Sequence, residues 1–400
     1  MSARVVVRIG LAAALISAIV ATVGDQRDRA AAATQTAIVR GTKPVGISYG
    51  DTLPFLSPAV LNHTLDDAVA LGVRWVRADL AWDDIQPSGA TDWEWSNFDR
   101  VVAATTARSL HVLPILAYTP VWARPRGSSS DKAAPVNPNQ FSAFARAATQ
   151  RYSSLGVHSW EIWNEPNVVS FWQPAPNPGA YVTLVQVTAA AIRSVDSQAR
   201  VISGGLAPTA TSGGDISQLD FLTAFCAHGG LQYVDAVGYH PYSYPVPPGY
   251  NAPWNAWAQI ATTTWSFKSV LASYGAPGKK IWLTEYGAPT NGPGVGATLT
   301  NYKLDQSPDH VDEALQAEMA TDSVALAAAS SIIGPLFWYS YQDLGTDPSN
   351  AENFYGLRRF DGSPKPAYGA LQTAIAVART SATGSPQRLA EDVAVLRATR

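Results

Sequence analysis

Two glutamates stand where an apolar run meets a turn. One run ends Trp160-Glu161-Ile162-Trp163-Asn164-Glu165-Pro166-Asn167, the other Ile281-Trp282-Leu283-Thr284-Glu285-Tyr286-Gly287-Ala288-Pro289. A carboxylate closing a buried strand is costly unless it is paired or used. Two such carboxyls facing each other across a cleft can cleave a glycosidic bond. One is protonated and assists the leaving oxygen; the other is ionised and attacks carbon or activates water. Glu165 and Glu285 are therefore the candidate catalytic pair. Glu161 lies inside its strand, four residues before Glu165, and is expected to make an interior hydrogen bond instead.

Positioning the pair needs a scaffold that brings distant strand ends together. Beyond about residue 43 the chain alternates short β-rich runs with segments of helical periodicity, the pattern of parallel βαβ units. The expected strands are 45–49, 75–80, 112–117, 159–163, 201–204, 236–239, 281–284 and 335–339. Eight is the number that closes a (β/α)₈ barrel, whose chemistry sits where strands run into the loops after them. Helix faces are readable between the strands. Leu61, Leu65, Ala68 and Val69 form one stripe, ended by Gly72; Phe141, Phe144, Ala145, Ala148 and Tyr152 form another, entered by Asn137 and Pro138; Tyr181, Leu184, Val185, Ile192 and Val195 form a third. No linker or repeat interrupts the run, so the expectation is an α/β fold, a single (β/α)₈ barrel over residues 34–380, with 381–400 as a flexible tail.

The motif Trp163-Asn164-Glu165-Pro166-Asn167, taken with Thr284-Glu285-Tyr286-Gly287, resembles the acid/base and nucleophile motifs of the large clan of retaining (β/α)₈ glycosidases. The resemblance covers residues 43 to 375. Within the clan it is nearer to family 39, which includes β-xylosidases, and more distant from the cellulase family 5. It implies Glu165 as acid/base and Glu285 as nucleophile. It implies further that Asn164 bonds the sugar 2-hydroxyl and that Arg77 holds the nucleophile ionised. His240 and Tyr242, two apart and so on one face, would line the subsite. Trp338 would form the floor under the sugar, with the peptide bond after it cis. The sequence also departs from these patterns. Family 5 carries a histidine near the end of the third strand, where this chain has Tyr118, His111 lying at the start. Nor is there length for the β-sandwich of family 39 xylosidases.

Composition narrows the alternatives. A net charge of −3 does not suit a general nucleic-acid binder. The six histidines, His63, His111, His158, His228, His240 and His310, include no local chelating pair, so no metal or other cofactor is expected. Lys279 and Lys280 precede the seventh strand, the wrong end for Schiff-base chemistry. The single cysteine, Cys226, sits in an apolar helical stripe and reads as a buried thiol. Thirteen tryptophans and sixteen tyrosines suit sugar stacking as well as a large core. Trp82, Tyr118, Trp122, Trp172, Trp254 and Tyr341 follow strand ends or lie in loops; several along one groove would favour endo action on an oligo- or polysaccharide. Arg4 and Arg8 followed by an uncharged run to Val23 read as a signal peptide within residues 1–33 or, alternatively, as a membrane anchor. The expected protein is thus a secreted glycosidase acting on a β-linked polysaccharide. A carbohydrate-binding barrel without catalysis and a transglycosylase are the rival readings.

Overall fold

The computed structural model describes residues 43–381. The signal or anchor reading of residues 1–33 and, Ser381 apart, the tail reading of 381–400 lie outside the described residues. Among the described residues no helix is long and apolar enough to cross a membrane.

Eight parallel strands close into a barrel: β1 (Val45–Ser48), β2 (Trp75–Ala81), β3 (His111–Ala117), β4 (Ser159–Ile162), β5 (Arg200–Ser203), β6 (Ala236–Tyr239), β7 (Lys280–Tyr286) and β8 (Ile333–Tyr339). Each pairs with its sequence neighbour, and β8 returns to β1 through Val45↔Leu336 to Ser48↔Tyr339. All eight expected strands are present, with ends shifted by two residues or fewer. The shift that matters is at β4. It stops at Ile162 because Trp163 adopts a left-handed backbone, φ 70°.

Helices wrap the outside, and their entries follow local rules. Three begin with a side-chain cap followed by proline: Ser57 before Pro58–Leu71, Asn137 before Pro138–Tyr152, and Asn177 before Pro178–Arg193. The cap oxygen satisfies a free N–H, and proline at the first position lacks the N–H that would go unpaired. Gly72 ends the first of these at φ 95°, a conformation glycine adopts without a Cβ penalty. Cys226 is buried in the helix Gln218–Ala227, and burial pushes its thiol up to about 12.

Two apolar clusters result. The larger fills the space between strands and helices. The smaller plugs the barrel: Leu113, Ile202, Ala236, Trp282 and Phe337, with Trp75 packed against them. Trp75 meets Trp282 edge-on at 5.6 Å and Phe337 at 6.3 Å. Gly46 makes room for this plug, since a Cβ there would lie 2.6 Å from the Phe337 ring.

Candidate active site

Strand alternation puts Arg77 on the same inward face as Trp75, one layer closer to the loops. Arg77 is fully buried, and all five of its N–H donors are used. Nε donates to Glu161 Oε2 at 2.6 Å and one Nη2 hydrogen to Glu161 Oε1 at 3.2 Å. The other Nη2 hydrogen goes to Asn164 Oδ1 at 2.8 Å. Nη1 donates to Ser48 Oγ at 3.0 Å and to Glu285 Oε1. The second oxygen of Glu285 accepts from the Tyr242 hydroxyl at 2.7 Å. One guanidinium thus ties β1, β2, β4 and β7 together.

Glu165 is held differently. Its turn is irregular: Trp163 and Glu165 both have positive φ, 70° and 42°. Non-glycine residues adopt this region only when their surroundings impose it. Here Trp163 N–H bonds Leu116 O at 2.8 Å, its indole N–H bonds Phe171 O at 2.7 Å, and Glu165 N–H bonds Gly205 O at 3.0 Å. Glu165 Oε1 lies 2.9 Å from His240 Nδ1, while Oε2 has no partner among the described residues. His240 also lies 3.7 Å from Glu285 Oε2. One ligating atom from each of Glu165, His240 and Glu285 lies within 4.8 Å of the other two.

The two carboxyls differ in electrostatic support. Burial, first of all, raises Glu165; the His240 hydrogen bond and charge oppose this, and the charge of Glu285 adds to it. Burial also pushes Glu285 upward, but there the Arg77 charge and the Tyr242 hydroxyl favour the ionised form. His240 is lowered by burial. The Glu165–His240–Glu285 group has the residue types and spacing for a divalent ion. Both oxygens of Glu285 are already engaged, however, one of them by the cationic Arg77, and a second cation there would meet that charge.

Further groups reach the same mouth. Tyr118 follows β3, with Lys132 Nζ 3.3 Å above its ring centre. Asp79 lies one inward layer beyond Arg77. It is 9% exposed, its side chain makes no hydrogen bond among the described residues, and burial with the nearby Asp51 pushes it to about 7. Glu352 is pushed to about 7 by burial and by the Glu285 charge.

Two expected site residues are corrected. Trp338 faces outward, fully buried against Tyr286 with ring centres 5.8 Å apart. Its neighbour Tyr339 is the inward residue, in register with Ser48, which is in register with Arg77. The cis peptide is likewise Tyr339–Ser340, not the bond before it. A one-residue slip along a strand exchanges the two faces. Trp82 is a core residue. It opens the short helix Trp82–Ile85, leaves the strand alternation, and packs among Trp122, Phe141 and Phe144 with its N–H on Gln86 Oε1 at 2.6 Å. Of the other loop aromatics, Trp172 is buried between Trp163 and Tyr181, and Tyr341 bonds Asp67 at 3.0 Å. Trp254 is exposed beside Tyr250. Glu161 makes the interior bonds expected of it. Thr284, Tyr339 and Asp79 were not singled out in the sequence, although stepping by two from Trp282, Phe337 and Arg77 reaches each of them.

An eight-stranded parallel barrel with two buried carboxyls at its loop end is the layout of a glycoside hydrolase. The chain belongs to the cellulase family, glycosyl hydrolase family 5, whose model matches residues 40–320. Family 5 belongs to the clan of glycoside hydrolases that also holds family 39, and the chain spans less than two thirds of the length of the first two relatives below. Tyr118 in place of the third-strand histidine does not put it outside family 5. A β-xylosidase of Geobacillus stearothermophilus is 42% identical over 100 residues, which span 24% of this chain and only 18% of that relative. A family 39 glycoside hydrolase from Bacteroides cellulosilyticus WH2 shares the fold at TM-score 0.60 and 22% identity, covering 84% of this chain and 64% of that one. A GH5_18 enzyme from Streptomyces cattleya, solved with GlcNAc, has TM-score 0.62 and 18% identity, covering 85% and 82%.

Proposed function

We propose that Glu165 is the acid/base and Glu285 the nucleophile of a double displacement on a β-linked extracellular or cell-wall polysaccharide. The observation that carries this reading is the spacing. Oxygens of the two carboxyls come within 4.8 Å. Retaining enzymes hold the pair about 5–5.5 Å apart, whereas inverting ones leave about 6.5–9.5 Å for a water. Glu165, its acid form favoured by burial and by the charge of Glu285, protonates the leaving oxygen as Glu285 bonds the anomeric carbon. Esterification then removes the Glu285 charge, so Glu165 becomes a competent base toward water.

The rest of the mouth assigns itself around that axis. Arg77 takes Asn164 Oδ1, which leaves the Asn164 amide N–H groups for the sugar 2-hydroxyl. Tyr339 serves as the floor in place of Trp338. Asp79 and Glu352 accept from sugar hydroxyls, and together with Glu285 they make the mouth unfavourable to a uronate. Endo action on a long chain rests on Tyr118, Trp122 and Trp254, since Trp82, Trp172 and Tyr341 are packing residues. Export rests on the apolar run before Val23.

The test is a screen of the full chain against β-linked glucan, xylan, mannan, galactan and arabinan, with Glu165→Gln and Glu285→Gln in parallel. Sugar release that both substitutions abolish is expected, and early products longer than one sugar would mark endo action. Binding to one polymer without release from any would support the non-catalytic carbohydrate-binding reading instead.

A further inference from the structure

The bonds behind Glu165 fix the donors as far as His240 Nε2. Arg77 and the Gly205 N–H can only donate, so Glu161 accepts from Arg77 Nε at 2.6 Å, from Nη2 at 3.2 Å and from Gly205 N at 2.9 Å. Its fourth contact is the Thr284 hydroxyl, which donates to Oε1 at 3.0 Å. A hydroxyl has one hydrogen. With it given to Glu161, Thr284 Oγ1 can only accept from His240 Nε2, 3.0 Å away. Nε2 therefore carries a hydrogen. In a neutral imidazole Nδ1 is then a bare lone pair. Its 2.9 Å contact with Glu165 Oε1 must be bridged by the carboxyl proton. Gly205 makes the arrangement possible twice over. It supplies an N–H to Glu161, and a Cβ there would sit 2.0 Å from His240 Nε2.

We propose that Thr284 is a positioning residue for catalysis: it fixes the His240 tautomer so that the Nδ1 lone pair accepts a hydrogen bond from the protonated Glu165 carboxyl. This rests on reading Glu165 as the acid/base. The proton passes to the leaving oxygen as the glycosidic C–O bond breaks and Glu285 bonds the anomeric carbon. Nδ1 is then a lone pair facing a carboxylate, which strengthens Glu165 as a base. Water next returns a proton to Glu165, gives its hydroxyl to the anomeric carbon and frees Glu285. The charged and titratable groups around the Glu165–His240 pair are Arg77 on β2, Glu161 on β4, Tyr242 and Tyr244 after β6, and Glu285 on β7. Burial, the first cause for each, raises Glu165 and lowers His240, the direction that favours the proton on the carboxyl, while their mutual hydrogen bond pulls each the other way.

The experiment compares the wild type with Thr284→Val, of similar shape but without a hydroxyl, and with Thr284→Ser. Histidine ¹⁵N–¹H correlation spectra report the tautomer, with the His240 signal identified by its loss in His240→Gln. Wild type and Thr284→Ser should show Nε2–H. Thr284→Val should move the hydrogen to Nδ1, where it donates to Glu165 and favours the carboxylate. The alkaline limb of kcat/KM on a 4-nitrophenyl β-glycoside should then fall by about one pH unit, while a 2,4-dinitrophenyl glycoside, needing no proton, keeps its rate. Nε2–H persisting in Thr284→Val, or an imidazolium in the wild type at neutral pH, would overturn the proposal. The tautomer spectra need no turnover, so an enzyme inactive on every glycoside would remove the catalytic role while leaving the hydrogen placement measured.

Discussion

Inside the barrel two layers of side chains solve opposite problems a single pleat apart. In the lower layer Trp75, Leu113, Ile202, Ala236, Trp282 and Phe337 meet as rings and branched chains. In the upper layer Arg77, Thr284 and Tyr339 each follow a lower-layer residue by two positions, and there Arg77 spends all five N–H donors. The lower layer gains from burying apolar surface and tolerates no polar intrusion. The upper layer buries charge and is stable only because nearly every polar atom has a partner. Two groups without a hydrogen-bond partner among the described residues, Glu165 Oε2 and the Asp79 carboxyl, lie in the mouth where a sugar would bind. The floor supplies rigidity and the mouth supplies chemistry, from the same strands.

The largest expected effects separate the two carboxyls within the mouth. Glu285→Gln should lower kcat on the order of 10⁴-fold or more, since no nucleophile remains. Glu165→Gln should lower it about 10²–10⁴-fold on poor leaving groups and flatten the alkaline limb. The sign follows from the raised Glu165: its acid form persists to higher pH than that of a free carboxyl, and activity falls as rising pH removes that proton. Steady-state rates against pH and leaving group check both. An unchanged alkaline limb in Glu165→Gln would assign that limb to another group.

Next comes the contrast between layers. Trp282→Ala should cost about 3–5 kcal/mol by opening a cavity in the floor, with the pH profile of the surviving activity unchanged. Arg77→Met should cost a similar amount, about 3–5 kcal/mol, by leaving Glu161 a buried charge without its partner, and should also collapse kcat. Denaturant unfolding alongside kinetics distinguishes them; equal losses of kcat per folded molecule would erase the distinction between floor and mouth.

The smallest effect is expected at Asp79. Asp79→Asn should raise KM about tenfold with little change in kcat, the size of one hydrogen bond to a ligand. An unchanged KM across glycosides that vary in hydroxyl pattern would place Asp79 outside the sugar contacts.

How far this contrast was legible in sequence depends on what each layer obeys. The strands follow apolar patterning, and Glu165 and Glu285 stand at strand ends because turns begin there, so both were visible in order along the chain. Motif matching, which follows residue type, points to Trp338, whereas the inward face follows parity and falls on Tyr339, in register with Ser48 and through it with Arg77. Trp82 reads as a site residue from its place after β2, because nothing local announces that the chain turns into a helix at that position. The Thr284–His240 bond joins residues 44 apart, and no spacing rule reaches across β6 and β7.

The most direct test of the two-carboxylate account is to trap the covalent intermediate. The full chain is incubated with the activated 2-deoxy-2-fluoro analogue of whichever glycoside it turns over, digested, and mapped by peptide mass spectrometry. The account predicts one glycosyl ester, on Glu285, with turnover lost in proportion. An ester on another residue, or steady turnover with inversion and no adduct, would contradict it.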